Sequence, residues 1–447
     1  MAAVVAVALV AGGVRLFGGD GGDGDGGGPG GDGKAAGDHV AGGKPAEQLF
    51  SLKQPDTHVK REDAPLAAGS WITRKIYAKT SLNAVEGHRV DGGRRAWNLP
   101  LAGPSCAASP HMTDEHVTAI AFDKGSDGCS AVAAFDVDTG EKLWEKPLAE
   151  DEFGFGGGDV NLTVADGVVA ATWIGGHAAY DVTSGKKLWK DNVEETCSHA
   201  RYGGGARLLA VLECGRKVSI HELDPRTGRS RWDVELPQVS DGRSVRLVDT
   251  DPVVLLLGTD GDRDEVMTVT EQGEVAASIN LGNHYEPGCL LGNMGSESCA
   301  NIVAVGDTVV VSRGEHSGKE GSSGDTNEAV GFDFSSGKPK WKVDAGEGRT
   351  IFPVAVEDGK VIAYRPAPVV GETAGDVVGI DPANGKERGL LRLPDSGVEK
   401  EQEFSMPSRS WTPTATYAEG RFFLQEDLLR GKDEDTKKPL ALAYGPR

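Results

Sequence analysis

The densest run of metal-type ligands in the sequence is GTDGDRDE at residues 258–265, where Asp260, Asp262 and Asp264 alternate as they would in a calcium loop. No glutamate at the required distance and no glycine at the sharp-turn position completes such a loop, so the stretch reads as a solvated hairpin tip. His111 and His116 flank Asp114 and Glu115. That spacing on strand or loop backbone puts the two imidazoles on no common face. GFGGG at residues 154–158 precedes no helical pattern and reads as a turn rather than a phosphate cradle. Nothing resembles a serine-centred nucleophile elbow. No catalytic, cofactor-binding or metal residue is assigned on these grounds.

The cysteines offer redox chemistry instead. They fall in sequence-local pairs, Cys106 with Cys129, Cys197 with Cys214 and Cys289 with Cys299, each within one repeat unit. Structural disulfides in an oxidising compartment would stabilise loop-rich β units in this way. Other connectivities and buried free thiols are the alternatives. A metal site is the least favoured reading, because no C-x-x-C spacing occurs.

The elements that must position these residues come from a repeat. AAFDVDTGEKLW at residues 133–144 returns as AAYDVTSGKKLW at residues 178–189. Each copy is a strand, a tight turn and a second strand. The apolar residues before Asp136 suit a half-buried strand, and Gly140 supplies the positive φ that the turn needs. Asp136 is expected to bond backbone amides two residues on. With the turn glycine as ruler, copies stand at Gly93, Gly140, Gly185, Gly228, Gly273, Gly337 and Gly385, at spacings of 47, 45, 43, 45, 64 and 48 residues. Units of four short strands have this length.

Asp precedes the glycine by four positions at Asp136, Asp181, Asp224, Asp333 and Asp381, and Trp follows it by four at Trp97, Trp144, Trp189, Trp232 and Trp341. The first copy has Arg89 for the Asp, the fifth has Val269 and Ala277 for both, and the seventh has Gly389 for the Trp. A second signature, an apolar strand, an acidic turn and another strand, recurs at residues 163–172, 304–312, 355–364 and 416–425 and marks the inner hairpin of each unit. SWITRKIYAKT at residues 70–80 aligns with it, so the first unit is complete from about Ala67. LALAYG at residues 440–445 would leave the last unit one strand short, with an open edge. The isolated EQLFSLK at residues 47–53 could fill that edge and close a ring; the alternative is that it belongs to the linker. The long fifth spacing holds two insertions, residues 284–300 and 314–327, and long loops on a rigid scaffold are where binding usually resides.

Composition agrees with many brief strands. There are 64 glycines against 12 Phe, 8 Trp and 7 Tyr, and no convincing amphipathic helix. A formal charge of −21 excludes a surface made for nucleic acid or anionic membrane, which Lys and Arg must supply. Residues 1–17 read as a signal-anchor remnant or signal-like segment; the apolar run to Val14 is shorter than the ~20 residues a bilayer span needs. A disordered alanine-rich tail is the alternative. Residues 18–46, rich in Gly and Asp, read as a disordered linker, and residues 47–447 as one β domain.

A-x-D-x-x-T-G-x-x-x-W, as it stands at residues 134–144, resembles the tryptophan-docking repeat of the quinoprotein-like β-propellers. That superfamily includes pyrroloquinoline-quinone (PQQ) alcohol dehydrogenases and the non-enzymatic BamB-like outer-membrane assembly lipoproteins. The tethered single-module layout is similar to membrane-anchored actinobacterial members. The resemblance implies an all-β, eight-bladed propeller of four-stranded antiparallel blades, seven blades being the second choice, with each Trp packed between neighbouring blades. It implies no activity. The dehydrogenases hold their quinone between a Trp floor and a disulfide of adjacent cysteines, with calcium beside it and an Asp as base. This sequence has no Cys-Cys pair and no C-x-x-C-H, and Trp173 and Trp411 read as packing rather than as a floor. The expectation is a non-catalytic extracytoplasmic scaffold, tethered by its N-terminus or secreted, that binds a protein, peptide or cell-envelope ligand and no nucleic acid. A PQQ- and calcium-dependent oxidoreductase and a sensor module for a membrane signalling partner are the alternatives.

Overall fold

The computed structural model describes residues 43–55, 67, 69–125, 128–148, 160–173, 176–190, 199–215, 217–236, 239, 244–258, 264–289, 297, 299–318, 324–368, 373–405, 414–427, 429 and 439–446. The segments read as anchor and linker up to residue 42, Cys197, Trp411, the glycine run at 154–158 and the tip at 259–263 lie outside them.

Eight antiparallel blades of four strands form a propeller. Blade one runs Ser70–Ile72, Ile76–Thr80, Ala84–Arg89 and Arg95–Pro100. Blades two to six start at Ser105–Ala108, Asn161–Ala165, His199–Gly203, Ser244–Thr250 and Ile302–Val305, and blade seven at Phe352–Glu357. Blade eight takes Thr414–Ala418, Arg421–Gln425 and Pro439–Gly445 from the end of the chain, and its outer strand, Glu47–Lys53, from the beginning. Seven blades are therefore ruled out. Lys44–Pro45, within the stretch read as linker, adds to the outer edge of blade seven, parallel to Glu387–Arg392.

Why these residues make blades is visible in the faces. Alanine and valine dominate the middle strands, as in Ala131, Val132, Ala133 and Ala134, all without exposure. Small and β-branched side chains let two pleated faces approach closely. One apolar cluster joins blade one to two, another two to three, and so on round the ring to the seam between blades eight and one. The core is thus a ring of interfaces, and no blade could bury its own face alone.

The repeated turn is a five-residue turn in which the Gly140 N–H bonds Asp136 O at 2.8 Å, with Gly140 at φ 72°. Asp136 Oδ1 accepts from the amide of Thr139 at 2.8 Å and from its hydroxyl at 3.0 Å. The bonded amide is three residues on, not two. The reason is the turn's length, which places the Thr or Ser ahead of the glycine over the carboxylate. Asp181 with Ser184, Asp224 with Thr227 and Asp333 with Ser336 repeat it. The inner hairpins turn on pairs such as Asp166-Gly167, at φ 45° and 70°, the left-handed pair that a two-residue hairpin demands.

Each repeat Trp lies against the turn glycine of the next blade. A Cβ at Gly185 would stand 2.7 Å from the Trp144 ring, and Gly140, Gly228, Gly273 and Gly385 face Trp97, Trp189, Trp232 and Trp341 in the same way. Trp144, Trp189 and Trp341 donate their indole N–H to the carbonyl just after the next blade's Asp, on Val182, Pro225 and Pro382, at 2.7, 2.8 and 2.7 Å. Trp232 faces the one turn that lacks both signature residues. That turn closes tightly, Gly273 N–H to Thr270 O, and Trp232 donates instead to Glu222 of its own blade at 2.8 Å. Trp97 Nε1 is buried and finds no acceptor among the described residues.

Blade eight has no Trp to offer blade one. Phe50 takes the place: a Cβ at Gly93 would stand 2.4 Å from Phe50 Cβ. Its ring meets Tyr77 at 5.5 Å and Phe423 at 6.4 Å, and those two stack at 5.3 Å. Tyr77 Oη donates to Gln425 at 2.8 Å and Lys79 Nζ reaches Asp427 at 2.6 Å, so polar bonds tie the same seam.

Two disulfides join described residues, Cys106 to Cys129 in blade two and Cys289 to Cys299 in the first insertion. Cys214 is disulfide-bonded as well. Replacing Cys106 and Cys129 by Ser frees a loop of 23 residues. The chain-entropy argument puts the loss at about 3 kcal/mol, to be read from urea unfolding of the oxidised proteins.

Candidate functional site at the propeller axis and the blade-six insertions

The inner strands of blades two to eight neighbour one another in succession and so face the axis. One polar cluster gathers there from four separate parts of the chain. His111 stands in the connection between the first two strands of blade two. Its backbone is pinned: the Ser109 and Thr118 hydroxyls each donate to His111 O at 2.8 Å, and the Trp71 indole N–H of blade one donates to Ser109 O at 2.9 Å. The ring points at Glu297, with Nε2 2.8 Å from Oε1. Glu297 belongs to the disulfide-braced insertion between blades five and six, yet it also accepts from the Thr163 hydroxyl of blade three at 3.2 Å and the Gly204 amide of blade four at 3.1 Å.

The glycine run 203–205 makes room for this meeting. A Cβ at Gly204 would lie 2.2 Å from Thr163 Oγ1, and one at Gly205 3.1 Å from the His111 ring. Gly205, at φ 87°, donates to Val164 O at 2.8 Å, and Thr250 Oγ1 holds Gly204 O at 2.7 Å. Three blades therefore fix the amide that meets the carboxylate.

Burial alone would lower the pKa of His111, but the charge and hydrogen bond of Glu297, with the charge of Asp249, outweigh it and hold the imidazole above its ordinary value. Asp249, on the inner strand of blade five, is pushed up to about 6 by burial, against the pull of the Asp251 and Thr250 amides and of His111. A carboxyl raised in the folded state contributes most below its unfolded pKa and loses that contribution as pH rises through about 6. Asp249→Asn is accordingly expected to match the unmodified protein near pH 4 and to exceed it by about 1–2 kcal/mol at pH 8, the value being discounted for partial solvent screening. Urea unfolding at the two pH values measures it.

The second insertion locks to the first. Gly314 N–H donates to His284 O at 2.9 Å and Glu286 N–H to Ser312 O at 3.0 Å, and His316–Ser317 pairs with Asp325–Thr326 in a small two-stranded arm. At its base Glu328 takes Lys342 at 2.9 Å, His316 at 3.2 Å and Arg313 at 3.3 Å. Burial would raise its pKa, and the hydrogen bonds of Lys342 and His316 with the charges of Arg313 and Lys342 hold it below the usual carboxylate range.

The other sequence candidates disperse. His116 bonds Asp138 at 3.0 Å, away from His111. Trp173 ends a hairpin and packs on Gly176. No group of three His, Cys, Asp or Glu that could hold a metal ion occurs among the described residues. Among the described residues, the Glu297 carboxylate is held by His111, Thr163 and an amide, and the two disulfides join Cys106 to Cys129 and Cys289 to Cys299. No motif or spacing marks the axial cluster; the three consecutive glycines 203–205, at the end of the inner strand His199–Gly203 and just past it, are the sequence signal that could have marked a crowded contact.

Residues 77–203 match the family model described as outer membrane protein assembly factor BamB. None of the curated proteins matches the chain. Among solved structures, BamB from Moraxella catarrhalis is 14% identical over 88% of this chain and 99% of its own, with a TM-score of 0.46. The quinohemoprotein alcohol dehydrogenase from Comamonas testosteroni is 11% identical over 90% of this chain and 77% of its own, with a TM-score of 0.47. Sqt1 from Saccharomyces cerevisiae is 11% identical over 90% of this chain and 100% of its own, with a TM-score of 0.48. The chain is an eight-bladed β-propeller, and its residues 77–203 are similar to the BamB family model.

Proposed function

We propose that this protein is a non-catalytic extracytoplasmic scaffold that binds a protein, peptide or cell-envelope ligand through the loops around blade six, and that the segment before residue 43 tethers it. The observation that carries the reading is the pair of insertions at residues 284–300 and 314–327. They are hydrogen-bonded to each other and braced by Cys289–Cys299, although the blade beneath already has its four strands. Long loops on a rigid scaffold are binding elements more often than packing elements. The matched family's description as an outer membrane protein assembly factor makes a protein the first partner to seek. The disulfides support an oxidising compartment. Among the described residues no helix is long and apolar enough to cross a membrane.

The test replaces residues 317–325 by a short Gly-Ser turn, leaving the buried Thr326 and Asn327 in place, and compares cross-linking of the two proteins in native cell envelopes. Loss of a specific cross-linked species, with unfolding unchanged, is the expected result. Tight binding of PQQ with calcium and dye-linked alcohol oxidation by the purified domain would overturn the scaffold reading.

A further inference from the structure

Glu297 behaves at the axis as a ligand does. It approaches from between blades five and six, and among the described residues its hydrogen-bond partners belong to other blades: His111 Nε2 and the Gly204 amide on Oε1, the Thr163 hydroxyl on Oε2. Because an ionised carboxylate only accepts, Nε2 carries the proton in that contact. Thr163 is fully buried, and Gly204 is held from both sides, so these donors are in place whether or not Glu297 is there. His111 keeps 34% of its side-chain surface exposed, whereas Glu297 keeps 13%. The histidine is thus the more accessible of the two partners.

We propose that His111, Thr163 and the Gly204 amide form a carboxylate-binding site on the axial wall, occupied in cis by Glu297 and available in its place to the carboxylate of an incoming ligand. The site does not depend on the scaffold reading and would serve a binder or an enzyme alike. The charged groups facing His111 are Glu297 and Asp249, and Asp249 in turn faces Asp251, which Arg207 holds at 2.9 Å. Protonated His111 and neutral Asp249 favour an anion; neutral His111 and ionised Asp249 oppose it. Affinity for a carboxylate therefore falls as pH rises past 6.

The experiment uses the full chain with Glu297→Ala, titrated with acetate while the His111 ring signals are followed by NMR. A saturable shift in Glu297→Ala, none in the unmodified protein at the same acetate concentration, and loss of the shift in Glu297→Ala with His111→Gln are expected. The acetate affinity is expected to fall at least about tenfold between pH 5.5 and 8. The tripeptide Gly-Gly-Ala with a free or an amidated C-terminus separates the sources: free-only binding marks a chain terminus, and acetate binding without either marks a small acid. No saturable shift with any probe in folded Glu297→Ala, or an equal shift in the unmodified protein, overturns the proposal. If the alanine variant does not fold, Glu297→Gln decides: its His111 titration midpoint must fall below that of the unmodified chain, and an unchanged midpoint overturns the contact on which the site rests.

Discussion

A chain beginning at Gln54 is expected to be on the order of 5 kcal/mol less stable than the full chain and to associate with itself. Glu47–Lys53 supplies the outer strand of blade eight by pairing with Pro439–Gly445, and Phe50, 6% exposed, fills the seam against Gly93, Tyr77 and Phe423. Without the strand, Pro439–Gly445, buried throughout, becomes an unpaired edge, and such an edge templates pairing with another chain. Phe50→Ala isolates the packing share and is expected to cost about 3 kcal/mol. Urea unfolding gives the stabilities and size-exclusion chromatography the association. A truncated chain that stays monomeric with an unchanged midpoint would show that blade eight closes by other means.

Trp144→Ala is expected to cost about 3–5 kcal/mol, and Trp232→Ala less than half as much. Trp144 is 8% exposed, lies on Gly185 of the next blade and satisfies its N–H there on Val182. Its removal leaves a cavity between two blades and an orphaned carbonyl. Trp232 is half-buried and spends its hydrogen bond on Glu222 of its own blade, so less of its side chain is committed to the interface. Equal losses in urea unfolding for the two variants would mean that the bond to the neighbouring blade contributes nothing beyond ring burial.

Fold and blade length were legible because their chemistry is local. Asp136, Thr139, Gly140 and Trp144 lie within nine positions, and the turn they make needs nothing from elsewhere in the chain. A local pattern that recurs at nearly constant spacing states its own periodicity. The same locality limited what could be read of closure. EQLFSLK could be read as the closing strand or as linker, and the ring made it the closing strand; that Phe50 stands where other blades place Trp follows from a strand and a turn glycine that the ring, not the sequence, makes adjacent.

The axial site lies at the far end of that scale. His111 and Glu297 are separated by 186 positions and Thr163 and Glu297 by 134, with no shared motif. Inner strands of successive blades converge on one axis, so residues from many blades meet there whatever their distance along the chain. By itself the sequence of this protein determined the blade, its turn and the spacing of the repeats, because backbone conformation and strand burial answer to neighbouring residues. Only the tertiary structure decided which carboxylate reaches the axis and what receives it, because a closed ring sets that contact through all its blades at once.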